Sequence, residues 1–148
     1  MKNKKALVGT LLSVLVSGNA VAGVYTDELT KCLVSSTTKE DRVELVKWMF
    51  LAVSAHPAVD KVSAATPSQM DESNKNVAKL SMRLITEACL EQTKDAIAYE
   101  GDVALEKSFQ ILGEVAGKEM FSHPEVIKSM AGLDKHLDSQ RVMALLKL

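Results

Sequence analysis

The 148-residue chain has few aromatic residues, and it lacks the short motifs of several enzyme classes. Phe, Trp and Tyr make up 4% of the sequence, which argues against a surface that stacks sugars or single-stranded bases. There is no Gly-x-Ser-x-Gly nucleophile elbow, no Walker loop and no Gly-x-Gly-x-x-Gly fingerprint. We therefore predict no cofactor and favour a binding protein over an enzyme.

Long apolar runs are also scarce, and the single clear one lies at the N-terminus. Three lysines in the first five residues precede the uncharged run Ala6–Val16, and the small residues Ala20-Val21-Ala22 follow it. This pattern predicts a secretory signal peptide over residues 1–22 with cleavage before Gly23. The run is too short to span a bilayer, and Gly23 is not the cysteine of a lipoprotein. We expect a soluble periplasmic or secreted protein with no membrane contact after cleavage.

The remaining chain, residues 23–148, is predicted to form one domain. Removing residues 1–22 leaves 126 residues and takes away three of the 18 basic residues, so 15 basic residues face 19 acidic ones. This mildly acidic balance offers no electrostatic attraction to nucleic acid or to anionic lipid. The length is sufficient to bury a hydrophobic core.

Both cysteines, Cys32 and Cys89, lie in this domain. Thiols of an exported chain enter an oxidising compartment, so we predict a disulfide between them; two separate buried thiols are the alternative. The bridge would stabilise the fold by about 4 kcal/mol in the chain-entropy description. The spacing excludes a Cys-x-x-Cys redox pair.

Apolar residues recur at spacings of three and four, which predicts an all-α bundle of about five to seven helices. The expected helices are Asp27–Val34 capped by Thr26, Thr38–Ala55, Pro57–Ala64, Asp71–Glu100 with Thr93 as a point of division, a helix capped by Asp102 that ends at Phe121, a short one to Met130, and one after Gly132.

Several local signals set these limits. Thr37 with Glu40, and Ser122 with Glu125, match the capping-box pattern, and Gly101 is expected to end a long helix. The polar stretch PSQMDESN after Thr66 is predicted to be a mobile connection.

The second predicted helix is the most apolar, and we expect it at the centre of the core. Its apolar residues cover more than half of its circumference: Val43, Leu45, Val46, Trp48, Met49, Phe50, Ala52 and Val53. In the fifth helix, Gly113 and Gly117 form Gly-x-x-x-Gly, which predicts close approach of a neighbouring helix; a ligand slot against the bare backbone is the alternative.

The pattern His-Pro-x-Val-x-Lys occurs twice, at His56 and at His123. If the chain brings the two His-Pro turns together, the imidazole rings of His56 and His123 are candidate metal ligands. The simpler interpretation is that each histidine ends one helix and each proline starts the next. Neither His-x-x-x-His nor Glu-x-x-His occurs, so helix-borne metal motifs are absent from the sequence.

Charged residues at a spacing of four mark a second candidate site. They are Lys75, Lys79, Arg83, Glu87, Glu91 and Asp95. The set predicts a solvated ridge with an Arg83–Glu87 ion pair, and its functional interpretation is a dipolar docking surface for a partner protein.

Two stretches of the sequence resemble an uncharacterised family of small exported proteobacterial proteins that have one cysteine in each stretch. They are TKCLVSSTTKEDRVELVKWMFLAVSAHPAV and LITEACLEQTKDAIAYEG. The resemblance implies an exported helical protein and carries no known activity. In outline the chain is also similar to small acid-stress periplasmic chaperones. We expect a binding module for a protein partner or a small apolar ligand, with a stress chaperone, or a metal protein or enzyme using His56 and His123, as alternatives.

Overall fold

The computed structural model describes residues 23–146, so the predicted signal peptide lies outside the described part of the chain. These residues form seven α-helices: α1 Val24–Ser35, α2 Lys39–Ser54, α3 Pro67–Arg83, α4 Leu90–Glu100, α5 Val103–Phe121, α6 Pro124–Met130 and α7 Ser139–Leu145. A π-helical segment, Leu84–Ala88, separates α3 from α4, and 3₁₀ turns lie at Asp60–Val62 and Ala131–His136. Residues 23–146 contain no strand, which confirms the all-α prediction.

A disulfide joins Cys32 in α1 to Cys89, the residue that follows the π-helical segment. The two Cα atoms lie 5.8 Å apart and are separated by 57 residues in sequence. The predicted pairing is confirmed. The bridge attaches the end of α1 to the beginning of α4.

The core lies between α1, α4 and α5, with the π-helical segment at one edge. The buried apolar residues are Leu29, Leu33, Leu45, Leu80, Leu84, Cys89, Ala96, Ala104, Leu112 and Ala116. Only Leu45 comes from α2, while Phe50 and Val53 of the same helix are 63% exposed. The prediction of a central α2 is therefore wrong. This helix packs on α3 and α5 but leaves much of its apolar surface towards solvent.

Polar groups inside the core hold α1 against α5. Thr30 Oγ1 donates to Ser108 Oγ at 3.1 Å, and Ser108 Oγ donates to the carbonyl oxygen of Thr26 at 3.2 Å. These buried hydroxyls are satisfied, so they fix the register of the two helices at low cost.

The starts of α1 and α2 differ from the sequence prediction. The first helix begins at Val24 instead of Asp27, and Thr26 does not cap it but lies buried in its first turn. The capping box of α2 is formed by Thr38 and Asp41. The predicted box at Thr37 and Glu40 is wrong because the Thr37 hydroxyl donates to the carbonyl of Val34.

The polar stretch PSQMDESN is the beginning of α3 and not a mobile connection. Thr66 and Gln69 form a capping box, and Pro67 occupies the first helical position, where no amide hydrogen is needed. The long helix is interrupted at the π-helical segment instead of at Thr93, which lies buried in α4. Gly101 ends α4 with a φ of 78°, as predicted.

The C-terminal elements add little to the core. None of the described residues after Phe121 is buried, and Met130, Leu133 and Leu145 are more than half exposed. Among the described residues, no helix is both long and apolar enough to cross a membrane.

Candidate functional site

An apolar groove lies between α2, α3 and α5. It has a volume of about 610 Å³, within the range of about 300–1,000 Å³ that small-molecule sites occupy. Its walls are formed by Leu45, Trp48 and Met49 of α2, Val77 and Ser81 of α3, and Phe109, Gln110, Gly113 and Glu114 of α5. Apolar side chains provide most of the surface of this groove.

Helical spacing brings these side chains together. Residues at i, i+3 and i+4 share a face, which places Leu45, Trp48 and Met49 on one side of α2. Val77 lies four residues before Ser81, so both face the groove from α3. The same rule applies to Phe109 and Gly113 in α5.

Gly113 leaves space in the groove. A Cβ atom built on it would meet only Met49 Sδ, at 4.0 Å, and one built on Gly117 would meet nothing within 4 Å. The expectation that these glycines permit close helix approach is therefore wrong. Phe109, one turn earlier on the same side of α5, is large, whereas Gly113 has no side chain to fill the gap below α2. This arrangement fits the alternative prediction of a slot against bare backbone.

Trp48 is the single tryptophan of the chain and forms part of the groove wall. Its indole Nε1 donates to Asn74 Oδ1 of α3 at 2.8 Å. This hydrogen bond satisfies the polar end of the indole and leaves its apolar body available to a ligand. Trp48 is thus an apolar part of the groove wall and a natural fluorescent reporter.

The edge of the groove is polar and carries negative charge. Gln110 Nε2 donates to Glu114 Oε1 at 3.1 Å, and Ser81 supplies a hydroxyl on the opposite helix. Glu114 is the one charged residue among those that line the groove. An anionic ligand would be repelled here, whereas a neutral one would not.

An ion pair fixes α2 against α3 beyond one end of the groove. Arg83 Nη2 lies 2.7 Å from Asp41 Oδ2. Burial raises the pKa of Asp41, but the backbone amide of Thr38 and the hydrogen bond and charge of Arg83 outweigh it, so the pKa lies below its ordinary value. The carboxylate that closes the capping box of α2 therefore also ties this helix to its neighbour.

The two histidine corners have the same local geometry. The Nδ1 atom of His56 accepts from the Ala58 amide at 3.1 Å, and that of His123 accepts from the Glu125 amide at 3.3 Å. His123 is thus the N-cap of α6, which corrects the predicted capping box at Ser122.

The helix predicted at Pro57–Ala64 does not form; turns and the short 3₁₀ turn at Asp60–Val62 replace it. The helix after Pro124 does form, and Glu125 places an acidic side chain in its first turn, where the helix dipole favours one. Ala58 offers no such charge at the corresponding position after Pro57.

The structure does not bring the two histidines together. His123 lies beside the first half of α2, in a small apolar pocket with Val43 and Val46, whereas His56 follows the last turn of that helix. The helical rise from Val46 to His56 is about 15 Å. Within residues 23–146, no group of three or more His, Cys, Asp or Glu side chains is arranged to hold a metal ion.

The charged ridge is divided by the π-helical segment. An inserted residue rotates the following helix by about 100°, so the acidic half does not continue the row of the basic half. Arg83 pairs with Asp41 and not with Glu87, Lys75 pairs with Asp71, and Glu91 pairs with Lys94. Lys79, Glu87 and Asp95 are exposed.

The sequence predicts the apolar groove residues to be part of the core. Trp48, Met49 and Phe109 follow the apolar spacing of a buried helix face, and that spacing is the same whether a neighbouring helix closes over the face or leaves it open. The one signal that distinguishes the two cases is Gly113, which removes a side chain from the middle of an apolar stripe.

A scan against protein-family models, a search of curated proteins and a search of solved structures find no match to this chain. Its own geometry defines it as a single-domain, disulfide-bonded helical bundle with an open apolar groove.

Proposed function

We propose that the protein is an exported helical binding module whose groove between α2, α3 and α5 holds a small, neutral and largely apolar molecule. The observation that carries this proposal is the groove itself, with Trp48 and Phe109 in its walls and Gly113 leaving a gap between them.

The lining residues restrict the chemistry of the ligand. Leu45, Met49 and Val77 offer apolar contacts, and Ser81 and Gln110 offer hydrogen bonds at the edge. The negative charge of Glu114 disfavours an anionic ligand. A ligand of about 17 non-hydrogen atoms would bind with a Kd on the order of 200 µM at a ligand efficiency of about 0.3 kcal/mol per atom.

Export is part of the proposal. The signal-peptide pattern in residues 1–22 predicts it, and the Cys32–Cys89 disulfide supports an oxidising compartment such as the periplasm or the external medium. Membership of the exported proteobacterial family that the two cysteine-containing stretches resemble belongs to the same proposal.

The experiment uses two fluorescent probes with a common fused-ring core. N-phenyl-1-naphthylamine is neutral, and 1-anilinonaphthalene-8-sulfonate carries a sulfonate on the same rings. Titration of residues 23–148 should show saturable binding of the neutral probe with quenching of Trp48. The anionic probe should bind at least about tenfold more weakly, a difference of about 1.4 kcal/mol, because Glu114 repels it.

Two glycine variants provide a matched comparison. Gly113→Leu places a side chain in the groove and should abolish binding of the neutral probe. Gly117→Leu makes the same change one turn later, outside the groove lining, and should retain it. Circular dichroism and thermal unfolding would establish that both variants remain folded.

The proposal would be wrong if the neutral probe showed no saturable binding, or if Gly113→Leu bound it as well as the parent chain. Trp48→Phe adds a check on location, since it should remove the tryptophan signal while the probe's own fluorescence still rises on binding. Equal affinity for both probes would contradict the predicted preference for neutral ligands.

A further inference from the structure

The start of α1 is capped by a residue from a different helix. Glu100, the last residue of α4, accepts hydrogen bonds from the backbone amides of Tyr25 at 2.9 Å and Thr26 at 3.0 Å. These are the second and third amides of α1, the ones that an N-cap side chain ordinarily satisfies. The N-cap residue is Gly23, which has no side chain, so Glu100 supplies the missing carboxylate from outside.

Gly23 lies directly against that carboxylate. A Cβ atom built on Gly23 would overlap Glu100, with both carboxylate oxygens and the carbon between them well under 3.0 Å away. Standard bond geometry then places the backbone nitrogen of Gly23 within about 4.5 Å of the nearest carboxylate oxygen. Opposite charges at such a distance stabilise each other.

The elements around Glu100 hold it in this position. The rings of Tyr25 and Tyr99 stack with their centroids 4.5 Å apart, which joins the first turn of α1 to the last turn of α4. The hydroxyl of Thr26 also donates to the carboxylate. This hydrogen bond lowers the pKa of Glu100, and burial of the carboxyl group acts against it. The amides of Tyr25 and Thr26 and the charge of Lys107 lower the pKa further. The pKa lies below its ordinary value, so the Glu100 carboxyl group is ionised at neutral pH.

We propose that cleavage between Ala22 and Gly23 creates an α-ammonium group that Glu100 binds, so that the folded domain contains a site for its own new N-terminus. The inference rests on the proposed export and its cleavage position. Hydrolysis breaks the Ala22–Gly23 amide bond, water supplies the hydroxyl of the new Ala22 carboxyl group, and the Gly23 nitrogen becomes an amine that is protonated at neutral pH.

The ammonium group needs such a partner. A positive charge at the start of a helix opposes the helix dipole, which favours negative charge there. The charged groups near it are Glu100, Asp27 in the first turn of α1, and Lys107, which acts on Glu100 from α5. Before cleavage the Gly23 nitrogen is a neutral amide, so the ion pair exists only in the processed chain.

The first experiment identifies the processed end. Full-length protein is exported in a bacterial host, and intact-mass and N-terminal analysis of the product should show Gly23 as the first residue. A different first residue would overturn the proposal, while leaving the groove open to its own test with the neutral probe.

The second experiment measures the ion pair. In the chain that begins at Gly23, NMR titration of the ¹³C-methylated α-amine should give a pKa above the ordinary value of about 7.7–8.0. Glu100→Gln should return the pKa to that range. A methyl group introduced by Gly23→Ala would displace the carboxylate and should have the same effect, so the test does not depend on one variant.

A retained residue provides the control. Adding Ala22 moves the ammonium group about 3.8 Å further along the chain, and it should lower the Tm by about 3 °C. In the Glu100→Gln background the same addition should have no effect on the Tm. An ordinary α-amine pKa in the chain that begins at Gly23, or an Ala22 effect that persists without Glu100, would contradict the proposal.

Discussion

The two sides of α5 are packed differently. On one side α1 and α4 close against it, and Leu29, Leu33 and Ala96 are fully buried there. On the other side α2 and α3 lie near it, yet the only apolar residues they bury are Leu45 and Leu80. We call these the closed side and the open side.

The difference follows from two rows of residues along α5, each with a spacing of four. The row on the closed side is Ala104, Ser108, Leu112 and Ala116, which is mostly small and lets α1 approach. The row on the open side is Leu105, Phe109, Gly113 and Gly117, in which two large side chains are followed by two glycines. A mostly small row permits close packing, whereas a step from large side chains to glycine leaves a groove.

Removing the disulfide should have the largest effect on the closed side. Cys32→Ser combined with Cys89→Ser should lower the free energy of unfolding by about 4 kcal/mol, because the bridge closes a loop of 57 residues. Guanidinium unfolding followed by circular dichroism measures this change. Reduction of the parent protein is the matched control and should give a similar loss. A decrease of less than 1 kcal/mol would show that the bridge does not hold the closed side together.

The next largest difference should come from shortening one side chain on each side of α5, because the loss of stability should be larger on the closed side. Leu29→Ala should destabilise by about 3 kcal/mol, since it leaves a cavity in a fully buried site. Val77→Ala in the groove wall should cost about 1 kcal/mol or less, because Val77 is only partly buried. Equal losses in urea unfolding would mean that the open side is as well packed as the closed one.

The smallest expected change in stability comes from the ion pair between Asp41 and Arg83, which joins α2 to α3 on the open side. Asp41→Asn should lower the free energy of unfolding by about 1 kcal/mol at pH 7, because it removes the charge from the group that accepts from Arg83 and from the Thr38 amide. The folded-state pKa of Asp41 is lowered, so its contribution is present above the unfolded value of about 3.9 and is lost as the pH falls through the folded value. The difference from the parent chain should therefore shrink towards pH 2.

Glu40→Gln is the control for that measurement. Glu40 precedes Asp41 in the same turn and is exposed. Its substitution should lower the free energy of unfolding at pH 7 by less than Asp41→Asn does, because no ion pair of the described residues includes Glu40. If Asp41→Asn and Glu40→Gln gave the same acid profile, Asp41 would not be the group that links α2 and α3 below pH 4.

Part of this architecture was predictable because it depends on neighbours in sequence. Gly101 and Pro124 act through the backbone within one turn, so the sequence indicates the corresponding helix limits. The box at Thr38 was missed by one residue because Thr37 has the same side chain. The Thr37 hydroxyl donates to the carbonyl oxygen of Val34 at the end of α1, and the capping pattern does not show this hydrogen bond.

The groove was not predictable from residue types alone. Trp48 and Phe109 have the apolar spacing of core residues, and only the position of α2 over Gly113 leaves them open. The capping of α1 by Glu100 is equally non-local, since the two partners are 74 and 75 residues apart in sequence.

The sequence by itself determined the all-α class, the pairing of the two cysteines and several helix ends, because periodicity, cysteine count and capping are properties of short stretches or of composition. The tertiary structure alone decided which helix faces are covered, where the groove opens and which carboxylate meets Gly23. Those features depend on how far apart two helices pack, and that distance is set by the side chains of both.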